Sequence, residues 1–441
     1  MRRLWWGGHE IERDVRELMR TQWLSKQELE AMQLKKIQQL IKYAYKNVPY
    51  YRNRYTKEGI NPRDIKSLSD FQALPFVTKK DINNDLNAFL SSEYRGKVIK
   101  NKTGGSTGTP LRFFTDASSS RWGGAVRIRG RKWYGVREGE KVAWIWGVLR
   151  NKPHFDWSRR LKAGIKRERY LNVWSMTNEA NMHSFAMKLI RWKPAVIRAY
   201  PSALYVFAKY IKEKGLLGIS PRLIETTSEK MMDYQRQLIK TVFDCPIADC
   251  YSSLELYEMA YQCPKGSIHV CEPVYLEVIA GNQQAKPEGI GEVFVTSLTK
   301  FAMPFIRYKM DDMAIIGADD CPCGRKLPVL REIVGRNTDC LVTASGKFIV
   351  GSFINSIFWE KPEVVQFQVY QKSRKHLKVI MVCKKKVSSA FLDNIANELK
   401  AHLGNEIEID LSVVDQIELT PAGKHRYVIS EVNPDEYVLK K

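Results

Sequence analysis

Two sets of residues in this sequence have the types and spacing for chemistry. The first is the stretch NKTGGSTGTPLRFFTD, Asn101 to Asp116, with three glycines and four hydroxyl side chains within the seven residues Thr103 to Thr109. Glycine lets successive backbone N–H groups turn to one side, and such concavities bind anions. Around Gly104, Gly105 and Gly108, the residues Thr103, Ser106, Thr107 and Thr109 add hydroxyl donors with little bulk. No lysine follows the last glycine at the required place, so this is not a Walker loop. The second set is Cys263 and His269 in CPKGSIHV, with Cys321 and Cys323 in CPCG. Three sulfurs and one imidazole match a closed tetrahedral zinc site, which keeps no position open for a substrate, so the expected metal is structural. Cys271 is an alternative to His269. Cys245, Cys250, Cys340 and Cys383 show no such pairing and are expected in the core.

The surrounding elements can be read from periodicity. Residues 26–60 read as helical, with Leu29, Met32, Leu34, Ile37, Leu40, Ile41 and Ala44 near a 3.6-residue spacing. Pro49 ends that run by disfavouring α conformation at Val48. An extended piece in LPFVTKKDI leads into a helix that Thr78 could cap. From about residue 140 to about 330 the strands KVAWIWG, AVIRAY, RLIETTS and PIADCY alternate with helical segments. This predicts a layered α/β core with a largely parallel sheet. IGEVFVTSL and MPFIRYKM read as strands of a further β-rich part. After Gly335 the pattern changes to a compact α+β unit, with strands VVQFQVYQK, HLKVIMVCK and EIDLSVVD and the helix AFLDNIANELKAHLG. A boundary at VGRNTD divides the chain into 1–335 and 336–441.

Composition narrows the class. Of 441 residues, 44% are hydrophobic and 27% charged, the balance of a folded globular chain. No apolar run approaches the roughly 18–20 residues that cross a bilayer. MRRLWWGGHEIERD turns acidic before a secretory apolar core develops, so a cytosolic location is expected. In that reducing compartment close cysteines are read as metal ligands before disulfides. Lys and Arg number 71 against 48 acidic residues, a net charge of +23, which attracts anions. Fifteen of those cations lie between Arg121 and Tyr170, against four acids, in runs such as RIRGRKWYGVR and RRLKAGIKRERYL. They read either as a solvated basic face or as a dock for anionic lipid at the inner face of the cell membrane or a polyanionic substrate. Trp133, Tyr134, Trp157 and Tyr170 interleave the run, but no recognised nucleic-acid motif accompanies them, so no nucleic-acid partner is expected.

Four further segments follow the glycine loop in order: YSSLE at 251–255, RYKMDD at 307–312, GRNTD at 335–339 and TPAGKHR at 420–426. Together they resemble the adenylate-forming superfamily of acyl-CoA synthetases and peptide-synthetase adenylation domains. IKYAYKNVPYYRNRY, LPFVTKKDI, VTSLTKFAMPFIRY and CPCGRKLP are similar to its phenylacetate–CoA ligase and CapK-like branch, which is associated with capsular polysaccharide gene clusters. The likeness spans nearly the whole chain. It implies a large α/β N-terminal domain and a small mobile α+β C-terminal domain.

The resemblance also implies roles. Thr103–Pro110 would wrap the phosphates of ATP, and Ser228 and Glu229, in TTSEKM, would lie beside the adenine. Tyr251 would pack on the adenine, Asp312 would accept from the ribose hydroxyls, and Arg336 would contact the nucleotide at the domain junction. Glu255 would hold magnesium, and Lys424 would be the catalytic lysine of the small domain. The acyl group would lie near RAYPSAL and WIWG, by Tyr200 and Ser202, with Ser252 altering the pocket where relatives commonly carry glycine. Asp311 and Thr338 are further departures, from glycine and from an acidic residue respectively.

The implied reaction activates a carboxylic acid with ATP and magnesium to an acyl-adenylate. The acyl group then passes by default to coenzyme A. An amine or hydroxyl on a sugar, lipid or amino acid is the alternative acceptor, and adenylyl transfer to the substrate is a third outcome. The roles agree with electrostatics, because a carboxylate attacking an α-phosphate needs cations to offset anion–anion repulsion. The two half-reactions need different surroundings, so the small domain is expected to rotate about residues 337–339.

Overall fold

The computed structural model describes residues 9–94, 96–103, 111–147, 164, 167–176, 178–281, 283–318, 320–336, 340–344, 348–350, 354, 357–358, 361–418 and 425–432. Outside them lie Gly104–Pro110 of the glycine loop, the junction 337–339, Lys424 and most of the basic stretch 148–166.

Local chemistry starts the helices. Ser25 and Glu28 form a reciprocal capping box at the head of the helix Lys26–Asn47, whose buried stripe includes Leu29, Ile37, Leu40, Ile41 and Ala44. Val48 is extended, as the residue before proline should be. Pro49 then opens a second helix, Pro49–Lys57, because its fixed φ and missing N–H cost nothing at a first helical position. Thr78 and Asp81 cap Lys79–Asn84 in the same reciprocal way.

Strands β1 (Val98–Lys102) and β2 (Arg112–Asp116) form an antiparallel hairpin whose connection holds the glycine loop. Five strands run parallel: β3 (Val142–Trp146), β4 (Glu168–Asn172), β5 (Val196–Ala199), β6 (Leu223–Thr227) and β7 (Ile247–Ser253). The β-rich part is continuous with them. It adds β8 (Tyr257–Gln262), β9 (Ile268–Val270), β10 (Val274–Ala280), β11 (Gln283–Gln284), β12 (Ile290–Ser297), β13 (Tyr308–Ile316) and β14 (Val329–Arg336) in antiparallel pairing. One twelve-stranded sheet results, in the order β11-β10-β12-β13-β14-β9-β8-β7-β6-β5-β3-β4.

Alternation along the parallel strands feeds two cores. Ala143, Ile145, Ile197 and Ile224 face the helices Glu179–Trp192, Pro201–Glu213 and Asp233–Phe243. Val142, Val196 and Leu223 face His9–Thr21 and Ala117–Trp133. The last helix lies so close to β8 that a Cβ on Gly130 would stand 2.6 Å from the Tyr261 ring. The segment MPFIRYKM becomes a strand later than its apolar pattern predicts. Arg307 takes a left-handed φ of +48° and is clamped by Glu277 at 2.8 and 3.0 Å, so β13 begins only at Tyr308.

Beyond the large sheet, β15 (Cys340–Val342) pairs with β16 (Phe348–Val350). A separate four-stranded sheet follows, of β17 (Val364–Ser373), β18 (His376–Cys383), β19 (Glu408–Val413) and β20 (Val428–Ser430), in the order β19-β18-β17-β20. The helix Ser389–Leu403 packs on it through Ile395, Leu399 and Leu403, against Phe367, Val379 and Met381.

Within the basic run RIRGRKWYGVR three arginines turn inward, while Lys132 and Arg137 remain exposed. Arg127 pairs with Glu258 at 2.8 Å, Arg129 with Glu272 at 2.6 Å and Arg131 with Glu225 at 2.7 Å. Arg121 reaches the buried Asp14 at 2.6 Å. Arginines on the inward faces of a helix wedged between two layers are taken out of water, and each of these four meets a carboxylate there. Those charges are spent on internal pairing rather than offered to a membrane.

Candidate active site

Parallel strands leave a crevice beyond their carboxyl ends, where loops diverge and backbone groups are free to meet ligands. The residues assigned by resemblance gather there. Tyr200 follows β5, Ser228 and Glu229 follow β6, Tyr251 and Ser252 end β7, and Glu255 lies in the turn before β8. Asp312 is on β13, and Arg336, the last residue of β14, is its backbone partner across the sheet.

Hydrogen bonds order this set. Tyr251 donates its hydroxyl to Asp312 Oδ2 at 2.6 Å. Ser252 and Thr227 share a hydrogen bond at 2.8 Å, tying the ends of β7 and β6. The backbone N–H of Ser202 donates to Glu229 at 3.0 Å, so that carboxylate sits at the head of the helix Pro201–Glu213. Ser228 adopts a left-handed φ of +73°, a conformation uncommon outside glycine. Tyr200 packs on Trp146 with ring centroids 4.4 Å apart, and burial raises its phenol well above the ordinary range.

The neck of the glycine loop is closed by two hydrogen bonds. The Thr103 N–H donates to the Leu111 carbonyl, and the Leu111 N–H to the Thr103 hydroxyl, both at 2.9 Å. Gly104, Gly105, Ser106, Thr107, Gly108 and Thr109 lie outside the described residues, as does Lys424. His425, next to that lysine, is held between Gln366 at 2.9 Å and the Phe367 carbonyl at 2.8 Å, and burial lowers its pKa to about 4.

Three features of this region carried no role in the sequence reading. Lys300, inside the quoted VTSLTKFAMPFIRY, is 1% exposed and donates to the Glu255 backbone carbonyl at 2.8 Å. Burial lowers its pKa to about 8, against the pull of Asp116 and Glu255. Beneath the crevice, Arg198 joins Glu225 at 3.4 Å and Glu258 at 2.9 Å. Burial alone would raise the Glu225 carboxyl, but Arg131 and Arg198 outweigh it and hold the pKa at about 2. Gln235 reaches from the large sheet's helices to Tyr427, just before β20, at 3.1 Å. Single lysines and arginines within apolar strings carry no periodic signal, so only the pairing across strands exposes them.

The cysteine set is a separate centre. The ligand atoms of Cys263, His269, Cys321 and Cys323 lie within 4.8 Å of one another. Cys263 and Cys321 have sulfurs 3.7 Å apart, far beyond a disulfide bond. Tetrahedral thiolates each about 2.3 Å from zinc would be about 3.8 Å apart. His269 Nδ1 is 3.3 Å from the Leu327 carbonyl, which orients Nε2 toward Cys323 Sγ at 3.2 Å. Burial lowers the His269 pKa to about 4, so the ring is neutral as a metal requires. The donor set fits zinc. Cys271 stands outside the cluster, with its sulfur on the His269 carbonyl at 3.7 Å.

Comparison with known proteins extends these observations. Residues 341–431 match the CapK C-terminal domain family. The chain is 24% identical over 413 residues to protein CapK of Staphylococcus aureus, covering 91% of this chain and 89% of that one. It is 23% identical over 433 residues to the phenylacetate-coenzyme A ligase of Thermus thermophilus, covering 91% and 94%. Its fold superposes on 2-hydroxyisobutyryl-CoA ligase in the postadenylation state with a TM-score of 0.74, at 20% identity over 93% of this chain and 91% of that one. Against the thioesterification state of that ligase the TM-score is 0.62, with 94% and 92% covered. Strand order and near-full-length relatives agree: along most of its length this chain is similar to CapK and the phenylacetate–CoA ligases, and its fold is that of adenylate-forming ligases.

Proposed function

We propose that this protein is an AMP-forming ligase that activates a carboxylic acid with ATP. A carboxylate oxygen attacks the α-phosphorus, the bond to the β-phosphate bridge breaks, and pyrophosphate leaves an acyl-adenylate. The observation that supports this best is the convergence of Tyr251, Asp312, Ser228, Glu229 and Glu255 at the carboxyl edge of the parallel strands. An ionised carboxylate accepts from several O–H donors, so Asp312 could take a ribose hydroxyl beside the Tyr251 phenol. Tyr251, Ser228 and Glu229 would surround the adenine, Thr103 to Pro110 the phosphates, and Arg336 the nucleotide at the junction. Glu255 would hold magnesium, which neutralises phosphate charge. Lys424 would place a point charge where negative charge builds. Tyr200, Ser202 and Ser252 would line the acyl side.

In this reading the chain divides into 1–335 and 336–441, and the second part turns about residues 337–339 between half-reactions. Zinc at the cysteine set braces the antiparallel half of the sheet. Coenzyme A is the default acceptor. A second reading, favoured by the CapK match, passes the acyl group to an amine or hydroxyl of a surface-polysaccharide precursor. A pyrophosphate-exchange screen over aromatic, fatty, hydroxy and amino acids tests the first step. Lys424→Ala is expected to lower exchange about 100- to 1,000-fold. Exchange with no acid of any class, or undiminished exchange in that variant, would reject the proposal.

A further inference from the structure

Lysine is almost never fully buried without a charged partner. Lys300 is 1% exposed, and among the described residues no carboxylate reaches it as an ion pair. Its Nζ donates to the Glu255 backbone carbonyl at 2.8 Å and lies 5.3, 5.7 and 5.8 Å from the ring centroids of Phe305, Tyr257 and Phe113. These contacts come from three pieces of chain. Phe113 is on β2, just below the neck of the glycine loop; Tyr257 opens β8; Phe305 precedes β13. The amine therefore joins the strand that carries the loop to the turn that carries Glu255.

The energetics make a purely structural purpose a poor explanation. Desolvating an ammonium costs several kcal/mol. A charged hydrogen bond returns about 1.5–3 kcal/mol and each aromatic face about 0.5–2 kcal/mol, which roughly offsets that cost. An apolar side chain of equal length would fill the same aromatic cage without desolvating a charge. It could not hold the carbonyl.

Resting on the ligase reading above, we propose that Lys300 is a positioning residue for magnesium. It fixes the backbone of Glu255, and with it the aim of the carboxylate, relative to the strand that leaves the glycine loop. Losing a residue that orients a metal ligand typically costs about 10- to 100-fold in metal affinity or activity.

The test is MgATP binding by calorimetry without any acid, together with the magnesium dependence of pyrophosphate exchange, in wild type, Lys300→Met, Lys300→Arg and Glu255→Gln. Lys300→Met is expected to keep the wild-type melting temperature within a few degrees. It should raise the magnesium concentration for half-maximal exchange about tenfold or more and leave the KM of the acid unchanged. Lys300→Arg, which keeps a donor, should recover part of the magnesium response. If Lys300→Met does not fold, the Lys300→Arg shift alone decides. An unshifted magnesium requirement in the variant that folds overturns the inference, as does a loss of activity that follows melting temperature alone. If wild type itself fails to bind MgATP, the ligase reading fails instead.

Discussion

The Tyr251 phenol at the end of β7 meets Asp312 on β13 at 2.6 Å, although β8, β9 and β14 lie between those strands in the sheet, so a residue of the parallel half presets an acceptor on the antiparallel half. If that acceptor holds the ribose, its loss should appear in nucleotide affinity. A hydrogen bond to a charged group is worth about 1.5–3 kcal/mol. Asp312→Ala is thus expected to raise the KM for ATP about 10- to 100-fold, with a smaller effect on the KM of the acid. Tyr251→Phe, which keeps the ring and frees the carboxylate, should have the milder effect of the two. Initial-rate kinetics with ATP varied at saturating acid distinguish these outcomes. An Asp312→Ala enzyme with unaltered KM for ATP would move the ribose site to another residue, with Asp311 the first to test.

At the scale of elements, the cysteine set joins β9 and the loop before it to the segment between β13 and β14. β9 and β14 pair through only the Val329–His269 and Leu330–Ile268 registers, a short ladder for strands in mid-sheet. A metal clamp beside it would offset the missing length. Purified protein is expected to carry about one zinc per chain by elemental analysis, the four-donor stoichiometry of a closed site. Cys321→Ser should lose that zinc and lower the melting temperature, while pyrophosphate exchange per folded molecule stays near wild type, because the cluster is not in the crevice. A zinc-free wild type of unchanged stability would remove the metal from the account.

At the scale of the whole molecule, Gln235 and Tyr427 bridge the large sheet's helical layer and the four-stranded sheet. Superposition is better on the postadenylation state of the 2-hydroxyisobutyryl-CoA ligase than on its thioesterification state, 0.74 against 0.62. If the small domain turns between half-reactions as proposed, holding the present pose should spare one half-reaction and block the other. Gln235→Cys with Tyr427→Cys, joined by a bifunctional maleimide, is expected to retain one of the two steps, pyrophosphate exchange or transfer from acyl-adenylate to the acceptor, and to stop the other. Survival of both half-reactions after quantitative crosslinking would sink the rotation.

Sequence by itself determined the helix from residue 26, the strands β3, β5, β6 and β7 and the elements of the last hundred residues. Such segments depend on short-range chemistry such as the Ser25–Glu28 and Thr78–Asp81 boxes and the period-2 and 3.6 burial of apolar residues. For the helices His9–Thr21 and Ala117–Trp133 it carried no such clear signal. It also determined the order of the motifs, since a linear pattern needs no geometry. Tertiary structure alone decided that the parallel and antiparallel strands form one sheet, because register between β7 and β8 is a pairing across space. It alone turned Arg127, Arg129 and Arg131 inward, since nothing local distinguishes a cation facing Glu258, Glu272 or Glu225 from one facing water. Lys300 is the sharpest case. Its neighbours in sequence, Thr299 and Phe301, say nothing of Phe113, Tyr257 and Glu255, which the fold brings to it from distant parts of the chain.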